Sequence, residues 1–242
     1  MKIAIINQPW SYVLPPVRSA DSIALWTDEV AHRLVKQDCE VVFYSRVSKG
    51  EPRAMSHGGV VYRRVSVSLD RWLRAGLAQL DERGLKSPQK PFHASKWYYR
   101  QFIGEVIADL RKSSPDVVHI HNFSPFVPMI RRALPECRIL LHMHAEWLAK
   151  LDRQMIEPRL RDSDLIIFCS DYFAQQTRDV WPQYASRCHA VYNGVTLSEF
   201  ESAEPMPARN PLNKRILFVG RLSPCTHTRG RLRENYSQVP AG

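Results

Sequence analysis

Short apolar runs alternate with segments of helical periodicity along most of the chain. Lys2–Ile6 is an apolar run that ends at Asn7, which is the profile of a buried parallel strand. Apolar residues then recur at helical spacing from Ile23 to Leu34, and this spacing predicts a helix capped by Ser19. Further strands are predicted over residues 40–45, 60–67, 116–121, 138–144, 164–169 and 189–192.

Helical patterns fill most of the intervals between these strands. They cover residues 96–112, 125–134, 147–160 and 171–179, and Pro158 is expected to end or kink the third of them. Strands that alternate with helices pair in parallel through right-handed crossovers. The pattern therefore predicts an α/β protein with a doubly wound, mostly parallel, Rossmann-like sheet.

The organisation changes after Asn193. Residues 199–213 are rich in proline and glutamate and are predicted to be a linker that follows a first domain of residues 1–198. Residues 214–224 contain RILFVG, a buried-strand pattern that predicts the first strand and loop of a second domain. Residues 225–242 have no helical period and few core-forming residues, so we expect a short disordered C-terminal tail.

Positive charge is concentrated in one stretch of the 242-residue chain. The net charge is +10, and residues 63–100 hold nine basic side chains against three acidic ones. The same stretch contains the aromatic residues Trp72, Phe92, Trp97, Tyr98 and Tyr99. This mixture suits an anionic membrane surface, but a solvated helical face with inward-packed aromatics remains an equal alternative. No recognised nucleic-acid motif accompanies the charge, so a nucleic-acid partner is not expected.

Composition also bears on the compartment. No apolar run reaches the ~20 residues that span a bilayer, and the N-terminal run is too short for a signal peptide. The five cysteines include no CxxC pair, as expected of free thiols in a reducing compartment. We therefore expect a cytoplasmic protein, peripheral on the inner face of the membrane if the basic stretch docks there.

Wound parallel sheets bind ligands at the carboxyl ends of their strands. The residues at these ends are Asn7, Ser45, His121, His144, Ser170 and Asn193. Two histidine pairs, His119 with His121 and His142 with His144, have the two-residue spacing that points both members to one face of a strand. His121 and His144 are expected to face a cleft, with His119 and His142 as satisfied core residues.

Strand-end histidines can orient a hydroxyl, act as a base or donate to an anion. His144, with Glu146 two residues later, is the favoured functional candidate, and Asn7 joins it as a predicted substrate contact. His121 is equally compatible with capping a loop carbonyl. No carboxylate cluster accompanies the histidines, so neither a metal nor another cofactor is expected.

Several familiar catalytic motifs do not occur in the sequence. It has no GxxxxGK[ST] phosphate loop, no GxGxxG dinucleotide fingerprint and no GxSxG nucleophile elbow. These absences disfavour P-loop nucleotide hydrolysis, nicotinamide chemistry and esterase activity.

A series of segments resembles the N-terminal half of a retaining, GT-B type glycosyltransferase of family 4. They are KIAIIN, ALWTDEVAHRLVKQDCEVVFYS, SPDVVHIHNF, RILLHMHAEW, DSDLIIFCSDYF, VYNGVTLSEF and RILFVGRLSP, in this order. The resemblance covers nearly all of residues 1–224. It implies an acceptor-binding first domain and a second domain that grips a nucleotide-diphospho sugar in the cleft between them.

The resemblance also assigns roles to individual residues. His144 matches the catalytic cleft histidine near the transferring sugar, and His121 matches the histidine that ends the preceding strand. Ser170 matches the serine after the next strand, and Asn193 matches the hinge. Gly220 and Arg221 match the donor site, where the arginine contacts the diphosphate and neutralises charge on the leaving phosphate.

Two departures from the family pattern change these expectations. Residues 15–21, PPVRSAD, replace a glycine-rich loop, so the backbone approaches a ligand less closely and Arg18 is expected to supply a side-chain charge instead. After Pro224 the sequence CTHTRG replaces the lysine-glycine pair, and no two glutamates lie eight positions apart. A premature end or frame slip near Pro224 is expected, and with it an inactive chain that binds no nucleotide sugar.

The expected parent function is sugar transfer to a cell-surface polysaccharide or glycolipid. Its partners would be a nucleotide-diphospho sugar, if the second domain is supplied, and a sugar or lipid-linked acceptor. Two alternatives remain open: a non-enzymatic acceptor-binding module, and one half of a split transferase that needs a separate catalytic domain.

Overall fold

The computed structural model describes residues 1–17, 20–82, 87 and 89–197. The chain divides into two compact units, Met1–Gly194 and Val195–Gly242, and nearly all described residues belong to the first. Arg18 lies outside the described residues. The linker, the second-domain strand and the C-terminal tail predicted from the sequence also lie outside them.

Eight strands form one sheet in the order β3-β4-β2-β1-β5-β6-β7-β8. The strands are β1 (Lys2–Ile6), β2 (Glu40–Arg46), β3 (Ala54–His57), β4 (Val60–Val65), β5 (Val117–His121), β6 (Arg138–Met143), β7 (Leu165–Phe168) and β8 (Cys188–Ala190). All neighbouring pairs are parallel except β3 with β4. The mostly parallel, doubly wound sheet predicted from the sequence is confirmed.

Helices cover both faces of this sheet. They are α1 (Ser22–Val35), α2 (Ser68–Glu82), α3 (Arg100–Ser113), α4 (Val127–Ala133), α5 (Trp147–Lys150), α6 (Arg153–Arg161) and α7 (Asp171–Val180). Short 3-10 turns lie at Phe92–Ala94, Ser124–Phe126 and Pro182–Arg187. Among the described residues, no helix is both long and apolar enough to cross a bilayer.

Alternate residues of the central strand supply two separate cores. Ile3 and Ile5 pack on the α1 side of the sheet, where Ala24 and Ala31 meet them. Ala4 and Ile6 belong to the larger core on the opposite face, which includes residues of α3, α4, α6 and α7. Both faces of β1 are therefore buried, as the continuous apolar pattern predicts.

The structure differs from the sequence prediction at several boundaries. Asp21 caps α1, accepting a hydrogen bond from the Ala24 amide over 3.1 Å, where Ser19 was expected. The predicted helix 147–160 is two helices, α5 and α6, and Pro158 lies inside the second. The antiparallel strand β3 and the helix α2 were both missed, because their segments are short or highly charged.

Candidate functional site

The direction of strand addition reverses at β1, which pairs with β2 on one side and β5 on the other. Wound sheets form their ligand crevice at this point. The register pairs Ile6 with Ile120, so Asn7 lies beside His121 at the carboxyl ends. Asn7 is fully buried, and neither polar atom of its side chain has a hydrogen-bond partner. Such unmet bonding capacity is uncommon in a protein interior.

Four imidazoles lie together on the α1 face of β5 and β6. The Nε2 atom of His119 is 3.3 Å from Nδ1 of His142, and Nδ1 of His121 is 3.1 Å from Nε2 of His144. The rings of His142 and His144 stack with centroids 4.1 Å apart. Two-residue spacing on adjacent parallel strands produces this cluster, which we call the histidine quartet.

Helix α1 covers the quartet with two side chains. The Trp26 ring contacts all four imidazoles nearly edge-on. Its centroid is nearest to that of His142, at 4.9 Å, and farthest from that of His144, at 6.4 Å. Thr27 Oγ1 lies 3.2 Å from Nε2 of His121 and donates its proton to the Ile23 carbonyl. His121 was expected at the cleft but is completely buried, and His144 is the one member of the quartet that is partly exposed.

Burial keeps the quartet neutral. Desolvation is the largest cause in every case: it lowers the pKa of His119 to about 3, of His142 to about 2 and of His144 to about 4. The pKa of His121 is likewise lowered, by burial and then by its histidine neighbours. Asp21 partly opposes the shift at His144. At neutral pH the imidazoles can exchange hydrogen bonds but carry no charge.

Asn122 fixes the backbone of His144. Its side-chain Oδ1 accepts a 2.7 Å hydrogen bond from the His144 amide. Asn122 adopts a left-handed conformation with φ of 59°, which asparagine tolerates better than most residues. With His144 Nε2 held against His121, Nδ1 is the nitrogen of His144 left for a ligand in the crevice.

Three of the four histidines form a set that could receive a metal ion. Ligand nitrogens of His119, His121 and His142 lie within 4.8 Å of one another. Imidazole is a common ligand of zinc and other transition metals. Most of these nitrogens are already engaged with one another, with His144 or with Thr27, and the group contains no carboxylate. His142 Nε2 is buried without a hydrogen-bond partner, so the expectation that His142 is a satisfied core residue is wrong for this atom. We therefore assign no ion to the quartet.

An aromatic pocket of about 270 Å³ opens beside the His144 backbone anchor. Its walls include Trp10 after β1, Asn122 and Phe123 after β5, and Trp147 after β6. Arg159 of α6 reaches the same pocket. The loops at three adjacent carboxyl ends thus build one cavity at the reversal point of the sheet.

The remaining predicted residues have varied surroundings. Glu146 precedes α5 and pairs with Lys150. Ser170 caps α7 by accepting from the Phe173 amide over 3.4 Å, and Asn193 is exposed beyond β8. Gly220 and Arg221 lie outside the described residues, as does Arg18.

Trp26, Thr27 and Asn122 are site residues that sequence reasoning missed. Asn122 follows directly on the strand-end His121, and its position there was an available signal. Trp26 and Thr27 fall within the helical pattern of α1 and look like ordinary core residues in the sequence. Only the structure shows that the histidines lie beneath them.

A wound sheet with a ligand crevice at its reversal point defines a Rossmann-like α/β domain, the class that includes the N-terminal domains of GT-B type proteins. Residues 23–199 match the family Glycosyltransferase Family 4. That match covers well over half of the chain, which therefore belongs to this family.

Two curated proteins and one solved structure are similar to this chain over part of their own length. Spore coat protein SA of Bacillus subtilis is 30% identical over 144 residues, which are 54% of this chain and 37% of that protein. The catalytic domain of starch synthase IV from Arabidopsis thaliana superposes on this chain with a TM-score of 0.55 at 12% identity. The superposition covers 85% of this chain and 54% of the starch synthase chain. A second Bacillus subtilis relative is 27% identical over 158 residues, which are 38% of its length. The chain thus spans less than two thirds of the relatives it matches.

Proposed function

We propose that the described domain is the acceptor side of an enzyme that transfers sugar from a nucleotide-diphospho donor to a cell-surface polysaccharide or glycolipid. Membership of Glycosyltransferase Family 4 supports sugar transfer in general. The observation that carries the assignment is the crevice at β1 and β5. There His144 is partly exposed, Asn7 lies buried next to His121 with an unpartnered amide, and an aromatic pocket lined by Asn122 opens at the same strand ends.

In this proposal His144 contacts the transferring sugar as a neutral imidazole. Its lowered pKa keeps it uncharged at neutral pH, so it is suited to hydrogen-bond a sugar hydroxyl and unsuited to act as a cation. The His144 amide donates a hydrogen bond to Asn122 Oδ1, and the His144 ring shares a hydrogen bond with His121, so both contacts hold the imidazole in place. Such fixed geometry is what positioning of a reacting group requires.

Donor binding is proposed by analogy. The starch synthase neighbour has been solved with ADP and acarbose, so that protein accommodates a nucleoside diphosphate and a sugar. For this protein we propose a nucleotide-diphospho sugar, with Arg221 on its diphosphate and Gly220 beside it, and Arg18 as a second charge near the first strand. Ser170, Asn193 and Glu146 complete the proposed set of substrate contacts.

The proposal is tested by measuring transfer of labelled sugar from a panel of nucleotide-diphospho sugars to membrane glycolipid extracts, using this chain with a family 4 nucleotide-sugar-binding domain supplied. We expect transfer from one donor, and a loss of about 10- to 100-fold in kcat/KM for His144→Ala, the range of one or two lost hydrogen bonds. The matched control is His189→Ala, which alters an exposed histidine on β8. Transfer that persists within a factor of about two in His144→Ala would refute the role of this histidine.

We also propose that the domain docks on an anionic membrane surface through α2 and the segment before α3. Leu69 and Trp72 on α2 are 61% and 76% exposed, and Trp97 is 58% exposed beside Lys96. Exposed aromatic and aliphatic side chains with nearby cations suit an anionic interface. Co-sedimentation should detect binding to phosphatidylglycerol vesicles and not to phosphatidylcholine vesicles.

Trp72→Ser should weaken the vesicle binding several-fold, because an exposed indole contributes most of the apolar contact. Tyr172→Ser is the control, since Tyr172 is similarly exposed but belongs to α7. Equal binding by wild type and Trp72→Ser would exclude α2 as the docking element.

A further inference from the structure

A buried arginine separates two neighbouring pockets on the α6 face of the domain. Arg159 lines the aromatic pocket described above and also a larger one of about 550 Å³. Only 5% of Arg159 is exposed. Buried guanidinium groups are normally paired with carboxylates, because an unpaired buried charge is costly.

The partners of Arg159 are all neutral. Its Nη1 donates to the Ser124 hydroxyl over 2.9 Å, and its Nη2 donates to the Ala94 carbonyl. Within the described ranges, no carboxylate lies within ion-pair distance of it. Burial lowers the pKa of Arg159 to about 10, which still leaves it charged at neutral pH. A guanidinium has five donor hydrogens, so donors remain beyond those used by the two neutral partners.

The larger pocket combines positive charge with apolar walls. Its cationic residues are Lys96, Arg100, Arg132 and Arg159, and its lining includes no acidic residue. Pro128, Met129 and Met155 supply apolar surface to the same cavity. A third depression continues past Arg100 and Arg132 to Arg111, again without an acidic lining residue. The combination matches a ligand with an anionic head and an apolar body.

We propose that this pocket binds the phosphate group of an amphiphilic acceptor, with Arg159 as its bidentate contact. Planar guanidinium groups match phosphate oxygens in pairs, and the apolar walls would receive the hydrocarbon portion next to the phosphate. Arg159 also lines the aromatic pocket together with Asn122, whose side chain holds the His144 amide, so the proposed phosphate site adjoins the strand-end crevice. The ligand's role as a sugar acceptor rests on the proposed function, but the binding of a phosphate group in this pocket does not depend on it.

Calorimetry with decyl phosphate tests the site directly. We expect decyl phosphate to bind the 242-residue chain at least ~10-fold more tightly than decyl glucoside, which has the same tail and no charge. Inorganic phosphate should bind more weakly than decyl phosphate, since it leaves the apolar walls empty. If decyl glucoside binds as tightly as decyl phosphate, the pocket does not recognise the phosphate and the proposal is wrong. If inorganic phosphate binds as tightly as decyl phosphate, the apolar walls do not contribute and the proposal is wrong.

Substitutions then identify the residue. Arg159→Lys should weaken decyl phosphate binding about 10-fold by losing the bidentate geometry, and Arg159→Met should reduce it to the level of the glucoside. Arg132→Gln should weaken the binding of decyl phosphate a few-fold. Because Arg132 is exposed, its substitution should not disturb folding, so this variant still tests the proposal if the Arg159 variants fail to fold. Arg161→Gln, at an exposed arginine of the same helix outside the pocket, is the control.

Folded Arg159 variants with wild-type affinity for decyl phosphate would overturn the assignment. Vesicles of phosphatidic acid and of phosphatidylglycerol distinguish a membrane lipid from a free amphiphile as the source of the phosphate. Displacement of decyl phosphate by either vesicle supports a lipid source, and lack of displacement supports a free amphiphile. None of these measurements needs a sugar donor, so failure of sugar transfer and failure of this site are separate results.

Discussion

The histidine quartet should make the domain sensitive to acid. His119 and His142 are neutral in the folded protein, with pKa values lowered to about 3 and about 2, chiefly by desolvation. In the unfolded chain the same groups titrate near the reference value of about 6.5. The unfolded state therefore binds more protons below that pH. The contribution of the histidines to stability is complete above about pH 6.5 and is lost as the pH falls.

The difference between the folded and unfolded pKa values sets how much unfolding free energy is lost on acidification. Lowering the pH from about 7 to about 5 should cost about 2 kcal/mol for each histidine that stays neutral in the native state. His119 and His142 together account for about 4 kcal/mol, a large part of the ~5–15 kcal/mol that stabilises typical domains. His121, also fully buried with a lowered pKa, adds to the loss in the same direction.

Urea unfolding followed by circular dichroism at a series of pH values measures this directly. His142→Gln removes one titrating group and should reduce the pH slope between about pH 6 and pH 5 by about 1.2 kcal/mol per pH unit. His57→Gln, at an exposed histidine outside the quartet, should retain the wild-type slope. If His142→Gln and wild type lose stability in parallel on acidification, the quartet is not the source of the acid sensitivity.

Three further predictions concern single side chains. Asp70 accepts hydrogen bonds from the Gln101 and Phe102 amides, both 2.9 Å, so Asp70→Ala should cost about 1–3 kcal/mol of unfolding free energy in urea titrations. Trp181 is buried and its indole donates to the Leu148 carbonyl over 2.9 Å, so Trp181→Ala should lower the unfolding free energy by about 3–5 kcal/mol. Asn122→Gly keeps the left-handed backbone accessible but removes the His144 anchor. It should therefore reduce kcat/KM with little loss of thermal stability, and a large drop in Tm would contradict that role.

The strands were largely predictable because burial on both faces leaves a direct mark on the sequence. β1 was predicted with its observed bounds, and β2, β5, β6 and β7 lie within one or two residues of their predicted ends. The helix α2 was missed because it is rich in charge and leaves Leu69 and Trp72 exposed, so its pattern resembles a polar connection. Its apolar residues nevertheless recur at helical spacing, and this periodicity was a signal that could have identified the helix.

The candidate site was predictable only in part. The two-residue spacing of the histidines was visible, and the structure confirms that they face the same way. The sequence did not reveal that α1 lies over them, because that contact depends on tertiary packing between segments about 100 residues apart. Arg159 was overlooked for the same reason. It belongs to a charged helix, and its burial against Ser124 and Ala94 is set by elements distant in the chain.

The order of the strands also sets the timing of assembly during synthesis. β1 can pair with β2 soon after both emerge, but its other neighbour, β5, begins about 50 residues after β4 ends. At ~5–20 residues per second, ribosomes need about 3–10 s to supply that segment. During this interval one edge of β1 has no partner, and open strand edges are sites of intermolecular pairing. The nascent chain is therefore most exposed to aggregation between the completion of β4 and the arrival of β5.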